Sequence, residues 1–86
     1  MSEHPTNFQG DILAAIEAAV KAAIPDAQVR ARGGGGHFEI DVVSRAFEGK
    51  RTLGRHQLVL AAVAPLMEGP TAPVHAIDRL NTSVPG

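Results

Sequence analysis

Histidine is the residue type in this sequence that best suits metal chemistry. The chain has 86 residues and no cysteine, so it forms no disulfide and offers no thiolate to a metal or a substrate. A neutral imidazole can still ligate a transition metal through either ring nitrogen. The four histidines are His4, His37, His56 and His75. A self-contained thiolate site is therefore excluded, whereas a site that uses histidine is not.

The surroundings of the four histidines differ in the sequence. His56 falls on the apolar stripe of a predicted helix, where a histidine is usually a core residue with one hydrogen-bonded nitrogen. His4 falls in a polar N-terminal segment, and we expect it to be solvated. His37 and His75 fall at the starts of predicted strands. There each could be a ligand, or it could be an ordinary strand residue, with His37 against Arg32 and His75 bonded to the backbone.

Composition places the chain among small globular domains, predicted here as one domain over residues 1–86 with loose tails at 1–5 and 82–86. Lys and Arg (8) nearly balance Asp and Glu (9), for a net charge of −1, which disfavours a strongly basic nucleic-acid module. No apolar run approaches the roughly 18–20 residues that a membrane span needs. The polar N-terminal segment does not resemble a secretory signal. We therefore expect a cytoplasmic protein and, since no catalytic pattern stands out, not an enzyme.

A helix is predicted over residues 6–24. Its apolar residues recur every four positions and form one stripe, consisting of Ile12, Ile16, Val20 and Ile24. Thr6 and Gln9 match a T-x-x-Q capping box at its start. Pro25 ends it, because the residue before a proline is pushed out of the helical region.

The apolar period changes to two over residues 27–43, which predicts the two strands of a β-hairpin. The glycines at 33–36 separate the two runs and predict a four-residue turn. With a symmetric turn, Arg30 lies opposite Glu39. One face of the hairpin is then apolar, and the other is polar with an Arg–Glu pair.

The second half of the chain predicts a helix and a last strand. Ser44 can cap a short helical turn that ends at Phe47. A second helix begins near Thr52, as its N-cap, and Pro65 ends or kinks it. A short strand follows over residues 74–80. The order is α-β-β-α-β, and a right-handed crossover makes the last strand parallel to the second. The predicted fold is an α+β two-layer sandwich with a three-stranded mixed sheet.

Residues 37–59, together with residues 73–77, resemble the BolA family. The pattern is a His-Phe pair opening an apolar strand, then V-S-x-x-F-x-G, then R-H-x-x-V, and V-H-A near the end. This chain matches it at His37, Phe38, Val43, Ser44, Phe47, Gly49, Arg55, His56, Val59, Val74, His75 and Ala76. The resemblance implies a fold like a type II KH domain.

The resemblance also implies an adaptor that partners a monothiol glutaredoxin, with its glutathione, and shares a 2Fe–2S cluster in iron–sulfur trafficking or in iron and stress regulation. His75 matches the family's C-terminal cluster ligand, and His37 is the second candidate. The family's loop between the first two strands usually carries a His or Cys ligand, whereas here it holds only glycine. Gln57 and residues 81–85 also depart from the family pattern. We expect no cluster on the chain alone, which would be a monomer or a weak homodimer.

An alternative function follows from the same resemblance, because some bacterial members are described as transcriptional regulators that affect cell shape and stress response. Basic residues concentrate where KH-like folds hold a nucleic-acid backbone, namely at Lys50, Arg51 and Arg55. They could contact DNA phosphates weakly, or they could form a solvated turn. Phe38 and Phe47 are needed for the core, so no aromatic platform remains for stacking bases. A third hypothesis is a protein-interaction module without metal.

Overall fold

The computed structural model describes the backbone of residues 4–86 and the side chains of residues 12–86. Its elements, in chain order, are helix α1 (His4–Ala23), strands β1 (Gln28–Gly34) and β2 (His37–Val43), a 3-10 turn (Arg45–Phe47), helix α2 (Thr52–Val63), a second 3-10 turn (Ala64–Met67) and strand β3 (Ala76–Ser83). The strands of this described part form one sheet in the order β1-β2-β3. β1 pairs antiparallel with β2, and β3 pairs parallel with β2. The predicted α+β order and mixed sheet are confirmed.

The core joins the apolar stripe of α1 to one face of the sheet and to α2. In β2 the residues alternate, with Phe38, Ile40 and Val42 buried and their neighbours more exposed. The buried cluster consists of Ile12, Ile16, Val20, Ile24, Ala27, Phe38, Ile40, Val42, Phe47, Val59, Val63 and Val74. The apolar stripe of the helix and the apolar face of the sheet therefore pack into a single cluster, and the other face of the sheet is polar.

The hairpin has a shorter turn than predicted. The strands pair through Gly33 and Gly34, so only Gly35 and Gly36 form the turn, with φ of +63° and +86°. Two positive φ angles suit the twist of a two-residue hairpin turn, and glycine adopts them without strain. The register is consequently shifted by two residues, and Arg30 lies opposite Asp41 rather than Glu39. A shift of two keeps every side chain on its predicted face.

Both helices begin at positions that change the predicted caps. α1 begins at His4, so Thr6 lies inside the helix rather than at its N-cap. The side chains of the predicted capping box fall outside the described side chains. α2 begins at Thr52, and Arg51 occupies the N-cap position without a side-chain capping bond. Pro65 lies in the 3-10 turn that follows α2, as expected. None of the described helices combines the length and apolarity needed to cross a membrane.

The C-terminal strand begins and ends later than predicted. β3 covers Ala76–Ser83, whereas the apolar pattern predicted residues 74–80. The predicted tail at 82–86 is therefore shortened by β3, and the predicted tail at 1–5 is shortened by α1. Residues 1–3 lie outside the described part of the chain.

The residues of the predicted capped turn have structural roles. Ser44 is buried, and its Oγ accepts a hydrogen bond from the backbone nitrogen of Ala46 at 2.9 Å, which confirms the cap. Phe47 ends the turn and is fully buried. Gly49 follows with φ of +77°, a backbone conformation that favours glycine. This part of the family pattern shapes the corner between β2 and α2.

Candidate metal-ligand site at the starts of two strands

The parallel pairing of β2 and β3 brings His37 and His75 to one end of the sheet. His37 opens β2, and its pairing partner on β3 is Ala76. His75 is the residue immediately before that partner. The two histidines most favoured by the sequence therefore lie on adjacent chain segments, 38 positions apart in the sequence.

His75 is anchored on the hairpin turn. Its backbone nitrogen donates to the carbonyl oxygen of Gly36 at 2.8 Å, and the nitrogen of Ala76 donates to the same oxygen at 3.0 Å. A Cβ on Gly36 would lie 2.7 Å from Nδ1 of His75 and 2.9 Å from its Cγ. The imidazole therefore lies directly against the glycine, although His75 as a whole is exposed.

His37 has a carboxylate neighbour that the sequence did not reveal. Its Nδ1 lies 3.2 Å from Oδ1 of Asp78, and the two side chains are 59% and 53% exposed. The pairing of β3 with β2 shifts register beside Phe38 and Glu39, and Asp78 is the residue left over. A bulge of this kind re-aims a side chain and disturbs the strand alternation, so no simple periodicity predicts the contact.

The described residues do not make a complete metal site. Among them, no three or more histidine, aspartate or glutamate side chains lie close enough together to hold a metal ion. Iron in a 2Fe–2S cluster takes four ligands per metal, and protein thiolates or imidazoles supply those not bridged by sulfide. Two exposed imidazoles on a chain without cysteine fit a cluster whose remaining ligands come from another molecule.

The other two histidines belong to the helices. His56 lies on α2 and is partly buried, which agrees with a histidine at the edge of the core. His4 lies in α1, where its side chain is outside the described part.

The basic residues predicted for DNA form a corner at the start of α2. Lys50 and Arg51 are exposed. The Nε of Arg55 donates to the carbonyl oxygen of Lys50 at 2.8 Å, and its guanidinium carbon lies 6.0 Å from the ring centre of Phe47. Arg55 thus packs on the corner, partly through a cation–π contact. Leu53, on the first turn of α2, is 70% exposed.

A family model described as BolA-like protein matches residues 7–85, which is nearly the whole chain. This chain belongs to the BolA family. The structure agrees, since a bolA protein homologue from Coxiella burnetii superposes with a TM-score of 0.68 and 34% sequence identity, covering 81% of this chain and 86% of that one.

Two curated relatives resemble the BolA-like chain in sequence. An uncharacterized protein in the rpoN-murA intergenic region of Acinetobacter guillouiae is 40% identical over 58 residues, covering 67% of this chain and 68% of the relative. Protein BOLA2 of Arabidopsis thaliana is 42% identical over 53 residues, covering 62% of this chain. That match spans 53% of the Arabidopsis protein, about half its length. Family membership is thus shown, whereas the ligand role of His37 and His75 stays a prediction.

Proposed function

We propose that this BolA-like protein is an adaptor that partners a monothiol glutaredoxin and shares a 2Fe–2S cluster with it. The observation that supports this most is the position of two exposed histidines at one sheet end of a chain without cysteine. His75 is the first ligand candidate and His37 the second. The glutaredoxin and its glutathione would supply the thiolates. The shared cluster would serve in iron–sulfur trafficking or in iron and stress regulation.

Because the chain has no cysteine, its contribution to a shared cluster would have to be a histidine ligand. Histidine in place of a thiolate raises the reduction potential of a 2Fe–2S centre, as in Rieske proteins. A complex that uses His75 should therefore differ in visible spectrum and in potential from a glutaredoxin cluster held only by thiolates. The BolA-like chain alone should hold no cluster, since the described residues lack a complete ligand set.

Reconstitution with iron and sulfide tests the role of His75. The chain is mixed with a monothiol glutaredoxin and glutathione, and the complex is followed by size-exclusion chromatography and visible absorption. We expect a heterodimer whose spectrum differs from that of the glutaredoxin cluster alone. His75→Ala should abolish this difference, and His37→Ala should reduce it.

The matched control is His4→Ala, which removes a histidine that belongs to α1 rather than to β2 or to the segment before β3. It should behave as wild type. An unchanged spectrum and an unchanged complex with His75→Ala would mean that His75 is not a ligand. A heterodimer that forms equally well without iron and shows no cluster would instead support the module without metal.

A second candidate function is DNA binding through residues 45–55. This segment contains four basic residues and one acidic residue, a net charge of +3, so the rest of the chain carries −4 of the total −1. The positive charge is therefore concentrated at one corner, although the whole chain is nearly neutral. Binding would be electrostatic, so the affinity should fall steeply as the salt concentration rises.

A further inference from the structure

The imidazole of His75 packs against the hairpin turn, and this contact determines how the ring is oriented. We propose that Gly36 is a positioning residue for His75. Because position 36 has no side chain, the imidazole of His75 can pack against the turn. In this position the ring offers Nε2 as the coordinating nitrogen. The proposal rests on the proposed function, because it concerns the same histidine. The turn between β1 and β2, rather than β3, then orients His75.

The contacts of Gly36 define the orientation of the imidazole. The three atoms nearest to a Cβ built on Gly36 are Nδ1, Cγ and Cβ of His75, at 2.7, 2.9 and 3.3 Å. Nδ1 therefore faces the glycine, and Nε2 lies on the farther side of the ring. Because Gly36 is buried and His75 is exposed, we expect a partner to reach the ring from its farther side, where Nε2 lies.

Backbone hydrogen bonds also hold His75 against Gly36. The carbonyl oxygen of Gly36 accepts hydrogen bonds from the nitrogens of both His75 and Ala76. These bonds fix the Cα of His75 relative to the glycine, so only rotation about the side-chain torsions of His75 could move the ring away from it. Gly36 thus bonds the backbone of His75 and leaves room for its side chain.

In His37 a different contact also leaves Nε2 as the nitrogen available to a metal. Its Nδ1 is engaged by the Asp78 carboxylate, which leaves Nε2 for a ligand. Metal-binding histidines commonly use one ring nitrogen for the metal while a neighbouring group occupies the other, and this fixes the ring orientation. At the sheet end, Nδ1 of His37 therefore contacts a carboxylate, whereas the Nδ1 side of His75 lies against Gly36.

The turn itself supplies a matched control. Gly35 also has a positive φ, of +63°, but no described atom lies within 4 Å of a Cβ built there. Alanine at either position carries the same kind of backbone strain, because positive φ disfavours side chains. Only Gly36→Ala also collides with the imidazole, so a difference between the two variants isolates the contact with His75.

The test uses the free protein, and Zn²⁺ alone is the probe. Long-range ¹H–¹⁵N NMR spectra follow the ring nitrogens of His75 in the wild type, Gly35→Ala and Gly36→Ala during a Zn²⁺ titration. We expect the coordination shift at Nε2 in the wild type and in Gly35→Ala. Gly36→Ala should displace the ring signals before Zn²⁺ is added and weaken binding to His75 by about tenfold or more, the usual effect of disturbing a ligand's support.

Two results would overturn the proposal. One is equal weakening by Gly35→Ala and Gly36→Ala, which would reflect turn strain alone. The other is a coordination shift at Nδ1 of His75 in the wild type. Should Gly36→Ala fail to fold, the wild type still decides, because the His75 ring protons must show nuclear Overhauser effects to the Gly36 α-protons, and their absence contradicts the packing. Since no glutaredoxin is present, these outcomes are independent of the proposed partnership.

Discussion

At the scale of single residues, Asp26 makes a contact that no local sequence pattern indicates. Its carboxylate accepts a hydrogen bond from the Ser44 hydroxyl at 2.5 Å and another from the backbone nitrogen of Arg45 at 2.9 Å. Ser44 was predicted as a cap because capping depends on a local pattern. Asp26 is 18 positions away, and no local pattern connects them. The contact ties the loop after α1 to the end of β2.

The same contact predicts how stability depends on pH. The Ser44 hydroxyl first, and then the Arg45 backbone N–H, hold the pKa of Asp26 below its ordinary value of 3.8. A carboxyl whose pKa is lower in the folded state stabilises the fold above its unfolded pKa. That contribution is lost as the pH falls through the folded pKa. Wild type should therefore be more stable than Asp26→Asn at pH 7, and the difference in stability should begin to narrow as the pH falls below about 4.

Urea denaturation at several pH values measures this gap. Far-UV circular dichroism is the suitable signal, because the chain has no Trp or Tyr to give fluorescence. Ser44→Ala is the companion variant, and in its background Asp26→Asn should have a smaller effect. A gap that stays constant from pH 7 to pH 3 would contradict the role of the Asp26 carboxylate.

At the scale of the elements, periodicity predicted which residues share a face but did not determine how strands align. The alternation over residues 27–43 gave the apolar and polar faces correctly. Four consecutive glycines allow a turn of either two or four residues without changing those faces, so the register could not be read from the pattern. The actual register gives Arg32 two partners, since its guanidinium bonds Glu39 and Asp41 at 3.0 Å each. Asn81 on β3 also donates to Asp41, at 2.8 Å.

Asp41 consequently connects all the strands of the described sheet, which predicts a difference between two acidic residues. Asp41→Ala removes contacts to β1 and β3, whereas Glu39→Ala removes only a contact to β1. Each exposed cross-strand pair contributes roughly 0.2–1 kcal/mol. We expect Asp41→Ala to lower the free energy of unfolding by about 1 kcal/mol, and Glu39→Ala by clearly less.

Chemical denaturation gives both values, and hydrogen exchange localises them. Amides of β1 and β3 should exchange faster in Asp41→Ala, while Glu39→Ala should affect mainly β1. Equal losses in the two variants would show that the bond from Asn81 to Asp41 contributes nothing measurable.

At the scale of the whole molecule, the architecture was predictable, and so was the concentration of positive charge, because Lys50, Arg51 and Arg55 lie close together in the sequence. The element order and the right-handed crossover predict two helices packed on one face of a mixed sheet. The structure has this arrangement. The net charge of −1 argued against nucleic acid because a total averages over the surface. The exposed cations Arg45, Lys50 and Arg51 belong to one short segment before α2, while Arg55 packs on Phe47. A total charge therefore underestimates what one corner can attract.

The concentrated charge makes a quantitative prediction for duplex DNA. With roughly three phosphate contacts, the affinity should fall by about two orders of magnitude between about 20 mM and 150 mM salt. We expect weak binding at the lower concentration and none measurable at the higher. Lys50→Glu should abolish the low-salt binding, because it reverses a charge within the basic corner. Fluorescence anisotropy of a labelled duplex measures both effects.

Arg79→Glu is the control, since it changes the net charge by the same amount from an exposed position on β3. Its low-salt affinity should stay closer to that of wild type. Equal losses in Lys50→Glu and Arg79→Glu would mean that only the total charge matters, which removes the corner as a binding surface. No binding by wild type at about 20 mM salt would eliminate the DNA function altogether, because screening is then weakest. The adaptor function does not depend on this result, since its histidines lie at the starts of β2 and β3 rather than at the basic corner.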